Sequence, residues 1–286
     1  MVIGRNKYFT GKEITSAICN SKYIDEKSLK TLLQECREKL MTARNKRIRA
    51  LLDDKIILGW NALMNTACSK AFEATGNEQY RQMAINNMRF LFEKFAINNT
   101  SEFHHTWKND KAKYPAFLDD YAFLIQALIQ LYETTSDTNW LLKAKEITAY
   151  VIDHFSETET GFFYFTKENQ PDIIVRKKEI YDSAVPSGNS VMAYNLYKLS
   201  VFFDLPDWKR RSTDMISSIA KVITRYPTSF GVWNCLLMEI ISGTSEIAIV
   251  GQNAGEVHKK LLQEFIPHRI LMASLTGENA FPLLRG

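Results

Sequence analysis

The sequence lacks the features that mark several large classes of protein. Its four cysteines, Cys19, Cys36, Cys68 and Cys235, lie far apart and form no paired motif, which argues against a disulfide framework and a cysteine-based metal site. No run of about eighteen apolar residues occurs, and residues 1–7 lack the apolar core of a signal peptide. We therefore expect no membrane span and no export, and the predicted compartment is the cytoplasm.

The sequence also has no strong excess of positive or negative charge. The chain has 36 Lys and Arg against 32 Asp and Glu, a net charge of +4 over 286 residues, which is too little to indicate a nucleic-acid partner. The densest basic run, residues 44–49, has no interleaved aromatic residues and is interpreted as a solvated helix end. No nucleophile elbow, phosphate loop or metal-ligand cluster occurs, so the sequence predicts no metal and no cofactor.

A helical-hairpin pattern, by contrast, occurs three times. Each copy has an aromatic anchor, a small residue four positions later and a large apolar residue fifteen positions later: Tyr80, Ala84 and Phe95; Trp140, Ala144 and Phe155; Trp208, Ser212 and Ile223. This spacing keeps one apolar face in register along a helix. A repeat of 60 to 68 residues indicates stacked pairs of antiparallel helices.

The distribution of charge separates the two helices of each pair. The first helix carries few charges and the second carries more, which predicts inner helices buried on most sides and outer helices that face water. The predicted fold is mainly α, an α/α toroid that is incomplete in this chain, with a small βαβ appendage near the C-terminus. Residues 1–50 form a lead-in and a first helix, 51–242 the hairpin repeats and 243–286 the βαβ tail. An incomplete ring exposes apolar flanks, so we expect a missing N-terminal half or self-association to cover them.

The segments between the hairpins carry weaker signals. Residues 97–115 are interpreted as a polar connector. Residues 161–165 and 173–175 are predicted to form a short β-hairpin.

Polar residues gather at the predicted starts of the inner helices. If these helices run parallel, their amino ends meet at one opening, where free backbone N–H groups favour hydroxyl-rich or anionic ligands. Five carboxylates are candidate catalytic groups, because glycoside hydrolysis needs two carboxyls of different pKa: Asp53, Asp54, Asp119, Asp120 and Asp182. The candidate substrate-binding residues are Trp60, Asn61, Tyr121, Ser187, Gly188, Asn189, His104 and Trp107. The alternative is helix capping, since Asp and Ser are preferred N-cap residues without any ligand.

Three segments together resemble a known family. They are residues 52–64, with Asp53-Asp54 and Trp60-Asn61; residues 116–125, with Asp119-Asp120-Tyr121; and residues 182–190, with Ser187-Gly188-Asn189. In this order and at these distances they resemble the C-terminal half of the spermatogenesis-associated, thioredoxin-domain-containing family. The resemblance implies a six-hairpin glycosidase-like toroid, similar to glycosidases and to N-acylglucosamine 2-epimerase. The resemblance implies that family members also carry a thioredoxin-like domain and further hairpins, which we do not expect within these 286 residues, and Ser183 and Ala62 stand where the family has glycine.

Two functional hypotheses follow. The first is a carbohydrate-handling domain with glycosidase- or epimerase-like activity, whose ligand is a small carbohydrate bound at the shared opening. The second is a non-catalytic helical-repeat module that binds a protein partner.

Overall fold

The chain divides into two compact units. The structure, a computed structural model, describes residue 20 and residues 25–49, 52–98, 100–171, 173–277 and 281–285. The units are Met1–Asp54 and Lys55–Gly286. In the first unit, helix α1 spans Glu26–Asn45. Asp25 caps its amino end, because the Asp25 carboxylate accepts the Ser28 N–H at 2.9 Å.

Within the described part of the second unit, three helical hairpins lie where the repeat predicts them. They pair α2 (Leu58–Thr75) with α3 (Glu78–Phe95), α4 (Leu118–Thr135) with α5 (Thr138–Phe155), and α6 (Gly188–Phe203) with α7 (Pro206–Arg225). The residue after each first helix adopts the left-handed conformation, at Gly76, Ser136 and Asp204. This conformation reverses the chain within a short turn, and Asn77 and Asp137 then cap the next helices.

The first helix of each hairpin is the inner one, as the charge distribution predicts. Helix α2 packs against α4, α4 against α6, and α6 against a further helix, α8 (Gly231–Ser242). Each outer helix packs mainly on its own inner partner. The small repeat residues Ala84, Ala144 and Ser212 are fully buried, which lets the paired helices approach closely. The fold is therefore mainly α, with the inner and outer hairpin helices of an α/α toroid.

The connector 97–115 differs from the prediction, because it forms regular structure. β1 (Ile56–Ile57), β2 (His104–Lys108) and β3 (Lys111–Pro115) form an antiparallel sheet in that order. Asn109 and Asp110 make the β2–β3 turn with positive φ angles of 51° and 56°. Such two-residue turns match the twist of paired strands and favour Asn and Asp.

The predicted hairpin around residues 161–175 does not form strands in the described residues. Phe163 makes a single antiparallel bridge to Ser156, and the Phe165 N–H donates to the Lys177 carbonyl at 2.8 Å. The apolar side chains of this segment are used differently: Phe162 and Phe163 are buried in the core of the second unit. A short, continuously apolar run has no alternation of apolar and polar residues. Periodicity therefore cannot distinguish a buried strand from a buried irregular segment.

The tail forms the predicted βαβ unit. β4 (Ser245–Val250) and β5 (Arg269–Ser274) are parallel and are joined through α9 (Ala254–Leu262). Leu271 and Leu262 from this unit pack with Phe72 near the carboxyl end of α2. Among the described residues, no helix combines the length and apolarity needed to cross a membrane.

Candidate functional site

The amino ends of α2, α4 and α6 lie at the same end of the second unit, as the site prediction requires. The Gly59 N–H, in the first turn of α2, donates to Asp120 Oδ1 on α4 at 2.9 Å. On the other side of α4, a Cβ added to Gly188 would lie 2.4 Å from Asp119 Oδ1. Only a residue without a side chain allows α6 to begin this close to α4. We call this end of the molecule, formed by the first turns of α2, α4 and α6, the rim.

Asp120 holds the rim together. Its buried carboxylate accepts the Gly59 N–H through Oδ1, and through Oδ2 it accepts the Phe117 N–H at 2.9 Å and contacts His105 Nδ1 at 2.7 Å. The Phe117 bond is half of a capping box at the start of α4. Asp120 therefore positions α2 and His105, and its predicted catalytic role stays a prediction.

Asp119 is less buried than its neighbour Asp120, and its pKa is raised. Its side chain is half-buried, and burial raises its pKa from 3.8 to about 6, with the nearby charges of Glu179 and Asp120 adding to the rise. The Gly188 N–H opposes the shift by donating to the carboxylate. A carboxyl that binds its proton near pH 6 is suited to acid–base chemistry at neutral pH.

Glu179 was not predicted from the sequence, and an interaction with Asn189 brings it to the rim. The fully buried Asn189 side chain accepts the Phe163 N–H at 2.8 Å and donates to the carbonyls of Phe163 and Glu179, both at 2.9 Å. Asn189 therefore anchors loop backbone, and this corrects its predicted contact with substrate. The Glu179 side chain itself is exposed. Because Glu179 lies in an irregular segment, no periodic pattern in the sequence distinguishes it.

Asp182 and Ser187 are capping residues. Asp182 Oδ1 accepts the Ser187 N–H at 2.9 Å and the Ser190 hydroxyl at 2.6 Å, and its Oδ2 accepts the Val232 N–H at 2.8 Å. Ser187 Oγ in turn accepts the Ser190 N–H at 3.2 Å. Asp182 thus joins the amino ends of α6 and α8, and the capping interpretation replaces the predicted catalytic role for Asp182 and the predicted substrate contact of Ser187.

The predicted aromatic residues have different outcomes. Trp60 is 66% exposed in the first turn of α2, where a ligand can reach it. Tyr121 is only 1% exposed and uses its hydroxyl to accept the Phe103 N–H at 3.0 Å. Trp107 packs edge-on against Phe90, with ring centroids 5.6 Å apart. Tyr121 is therefore a core residue, which corrects its predicted contact with substrate. Trp107 is partly buried and packs against the core, and its contact with substrate stays a prediction.

Asn61 and the two histidines also need correction. The Asn61 amide nitrogen donates to the Ile57 carbonyl at 3.0 Å, and the Asn61 amide oxygen accepts from Asn87 on α3 at 3.2 Å. His104 Nδ1 is buried with no hydrogen-bond partner in the described residues. Its neighbour His105, whose side chain is 26% exposed, is the histidine that pairs with Asp120. The alternation of side chains along strand β2 separates the two, and the sequence prediction missed it because it interpreted this segment as a connector.

Asp53 and Asp54 lie in the first unit, and both are exposed. Their participation in the rim stays a prediction. Within the described residues, no group of three or more His, Cys, Asp or Glu side chains is arranged to hold a metal ion.

Comparison with known proteins bears out the family resemblance. The chain is 27% identical to Spermatogenesis-associated protein 20 of Rattus norvegicus over 271 residues, which cover 90% of this chain and 34% of that protein. The Homo sapiens protein of the same name is 26% identical over the same shares. The chain thus spans about a third of the length of the curated relatives it matches. No protein-family model matches the sequence.

Two solved structures of sugar-active enzymes are similar at low identity. A family 76 α-mannanase of Bacteroides thetaiotaomicron has a TM-score of 0.49 and 13% identity, covering 62% of this chain and 46% of its own. Cellobiose 2-epimerase of Bacillus thermoamylovorans has a TM-score of 0.49 and 16% identity, covering 66% and 55%. The chemistry of the rim is therefore inferred from this chain's own residues.

Proposed function

We propose that the rim handles a small carbohydrate by general acid–base chemistry, with Asp119 as the acid. The observation that carries the proposal is the half-buried Asp119 carboxyl, whose pKa is raised to about 6 at an end of the molecule where three inner helices begin. A general acid must hold its proton near the working pH and release it in the reaction.

His105 is the base in this proposal. The buried Asp120 carboxylate contacts His105 Nδ1 at 2.7 Å, which leaves the Nε2 edge of the ring for proton transfer. Catalytic histidines are commonly oriented in this way, by a hydrogen bond from one ring nitrogen to a carboxylate that is itself held in place. Asp120 is anchored by the Gly59 and Phe117 N–H groups, so the orientation of the imidazole is built into the helix starts.

The remaining features of the rim suit a sugar. The exposed Trp60 indole offers a flat apolar surface for the C–H face of a pyranose. Hydroxyl groups of the ligand would find carboxylate acceptors in Asp119 and Glu179. In a hydrolytic reaction, Asp119 gives its proton to the glycosidic oxygen as the C–O bond breaks, while His105 takes a proton from the attacking water. In an epimerisation, His105 removes the proton beside a sugar carbonyl and Asp119 protonates the carbonyl oxygen to give an enediol. A proton from solvent then adds to the opposite face of the carbon, and Asp119 takes back the hydroxyl proton to restore the carbonyl.

Two assays test this proposal and separate the reactions. Reducing mono- and disaccharides are screened for a rise in melting temperature, and those that bind are incubated in D₂O and followed by NMR. Epimerisation introduces deuterium beside the carbonyl, whereas hydrolysis of a glycoside releases a new reducing end. Asp119→Asn and His105→Gln should abolish either signal, and Asp153→Asn, an exposed aspartate on outer helix α5, is the matched control. If no sugar binds, or if Asp119→Asn keeps full activity, the proposal is wrong.

A second candidate function is supported by the exposed apolar flanks of the inner helices. Trp60 and Met64 lie one turn apart on α2 and are 66% and 62% exposed, and Met238 and Ile241 on α8 are 59% and 75% exposed. Soluble proteins seldom leave such stripes uncovered on both flanks of a helical array. We propose that a second copy of this chain covers them, with the α2 flank of one copy against the α8 flank of the other.

Light scattering over a range of concentrations tests this association. Met64→Glu should reduce the average mass, because a buried charge opposes an apolar interface. Met83→Glu is the control, since Met83 is also exposed but lies on outer helix α3. A protein that is monomeric at every concentration contradicts this candidate. Met64 is not part of the acid–base proposal, so Met64→Glu tests the association alone. Trp60 belongs to both proposals and cannot contact a sugar and a second copy at the same time.

A further inference from the structure

A cavity with polar side chains in its lining lies at the end of the inner helices opposite the rim. Its volume is about 540 Å³, within the usual range of small-molecule sites. The carboxyl halves of α2, α4 and α6 form its floor, and the segment between α9 and β5 forms its cover. Its polar lining includes Lys70, Glu73, Gln130, Glu133, Lys198 and Arg269. None of these residues takes part in the rim.

Glu133 is the unusual member of this lining. Its side chain belongs to a residue that is 5% exposed, and Oε1 has no hydrogen-bond partner in the described part of the chain. Burial raises the pKa of the carboxyl, while the charges of Lys198 and Arg269 and the Leu271 N–H act in the opposite direction. A buried acceptor without a donor costs free energy, so a ligand that supplies a donor here is favoured.

Glu73 is a second carboxyl in the lining, and unlike Glu133 it has a partner at each oxygen. Its Oε1 accepts from Gln130 Nε2 at 2.7 Å, and its Oε2 pairs with the Arg269 guanidinium at 3.1 Å. Burial and then the charge of Glu133 raise the pKa of Glu73 to about 7. The two acids therefore disfavour each other's charge, and a cationic group placed beside Glu133 relieves both.

Donors with spare capacity also line the cavity. Lys198 Nζ donates to the Arg269 carbonyl at 2.7 Å, which leaves two of its three N–H bonds for other acceptors. Lys70 is an exposed lysine on α2. Leu262, Phe265 and Ile266 add apolar side chains to the lining of the cavity.

We propose that this cavity binds a small zwitterion of the amino acid class, with its ammonium group at Glu133 and its carboxylate at Lys70 and Lys198. An anion alone would leave the Glu133 acceptor without a donor. A cation alone would leave the lysine donors without an acceptor. The combination of an unpartnered buried acceptor with lysine donors in one cavity is what selects a ligand that carries both charges.

Titration calorimetry with three matched probes tests the assignment. L-leucine carries both groups, isoamylamine only the amine, and 4-methylpentanoate only the carboxylate. We expect L-leucine to bind at least about tenfold more tightly than either single-group probe, since each single-group probe gives up the hydrogen bonds of one charged group. Equal affinity for L-leucine and isoamylamine would overturn the lysine subsite. Absence of binding by L-leucine would overturn the whole proposal.

Two substitutions assign the subsites. Glu133→Gln keeps the shape of the side chain and should weaken L-leucine binding roughly tenfold or more. Lys70→Met removes a donor at an exposed position, so the fold is retained even if Glu133→Gln does not fold, and it should weaken L-leucine but leave isoamylamine unchanged. Lys221→Met, on the exposed face of outer helix α7, is the matched control. Unchanged L-leucine affinity in Lys70→Met contradicts the assignment.

Discussion

The adjacent residues Asp119 and Asp120 should respond in opposite directions to the same substitution. A folded-state pKa of about 6 for Asp119, against its ordinary 3.8, corresponds to about 3 kcal/mol of stability lost at pH 7, because folding disfavours the charged form. Asparagine removes that charge and can still accept the Gly188 N–H. We therefore expect Asp119→Asn to raise the free energy of unfolding at pH 7 by about 1–3 kcal/mol.

Asp120→Asn should instead lower the free energy of unfolding at pH 7. The amide group provides one acceptor oxygen where the carboxylate provides two, so the substituted side chain cannot keep the bonds to both Gly59 and Phe117. A hydrogen bond to a charged acceptor contributes about 1.5–3 kcal/mol, and the abandoned N–H stays partly buried. The expected loss is about 2–4 kcal/mol.

Urea denaturation at pH 7 and pH 4 measures both effects. The sign for Asp119 follows from its raised pKa: stability falls as pH rises from about 4 to about 6, because the unfolded carboxyl ionises first. The gain in Asp119→Asn should therefore shrink below about 1 kcal/mol at pH 4. Asp153→Asn, on the exposed face of α5, controls for the loss of an aspartate as such. If Asp119→Asn destabilises the protein more than Asp120→Asn does, the assignment of the two roles is refuted.

Three further substitutions test the packing of the unit and the second cavity. Gly188→Ala should cost about 1–3 kcal/mol in thermal melts, because its Cβ would overlap Asp119, whereas Gly255→Ala on α9 meets no atom within 4 Å and should be neutral or stabilising. Asn189→Ala should cost about 3 kcal/mol or more in urea, since it strands buried backbone groups; a smaller loss would mean that water replaces the amide. Glu73→Gln should flatten the fall in stability between pH 5 and pH 8 that a folded pKa of about 7 produces; an unchanged slope would place that titration elsewhere.

The hairpin architecture could be predicted from the sequence because helix period and burial are local signals. The repeat residues Ala84, Ala144 and Ser212 are all fully buried, as the pattern indicates. The strands β2 and β3 could not be predicted in this way. Their sequence is mostly polar, and the turn at Asn109-Asp110 is the main local signal for them.

The candidate site shows where local signals end. The sequence by itself determined that polar residues stand at the start of each inner helix, and the parallel course of those helices brings them together. Only the tertiary structure decided which of them form hydrogen bonds to backbone groups. The side chains of Asp120, Asp182 and Asn189 form hydrogen bonds with backbone groups of distant segments. Asp119 is half-buried and has a raised pKa. The physical reason is that the hydrogen bonds of a carboxylate depend on donors that are far away in the chain. Local residue type and spacing do not show which donors these are.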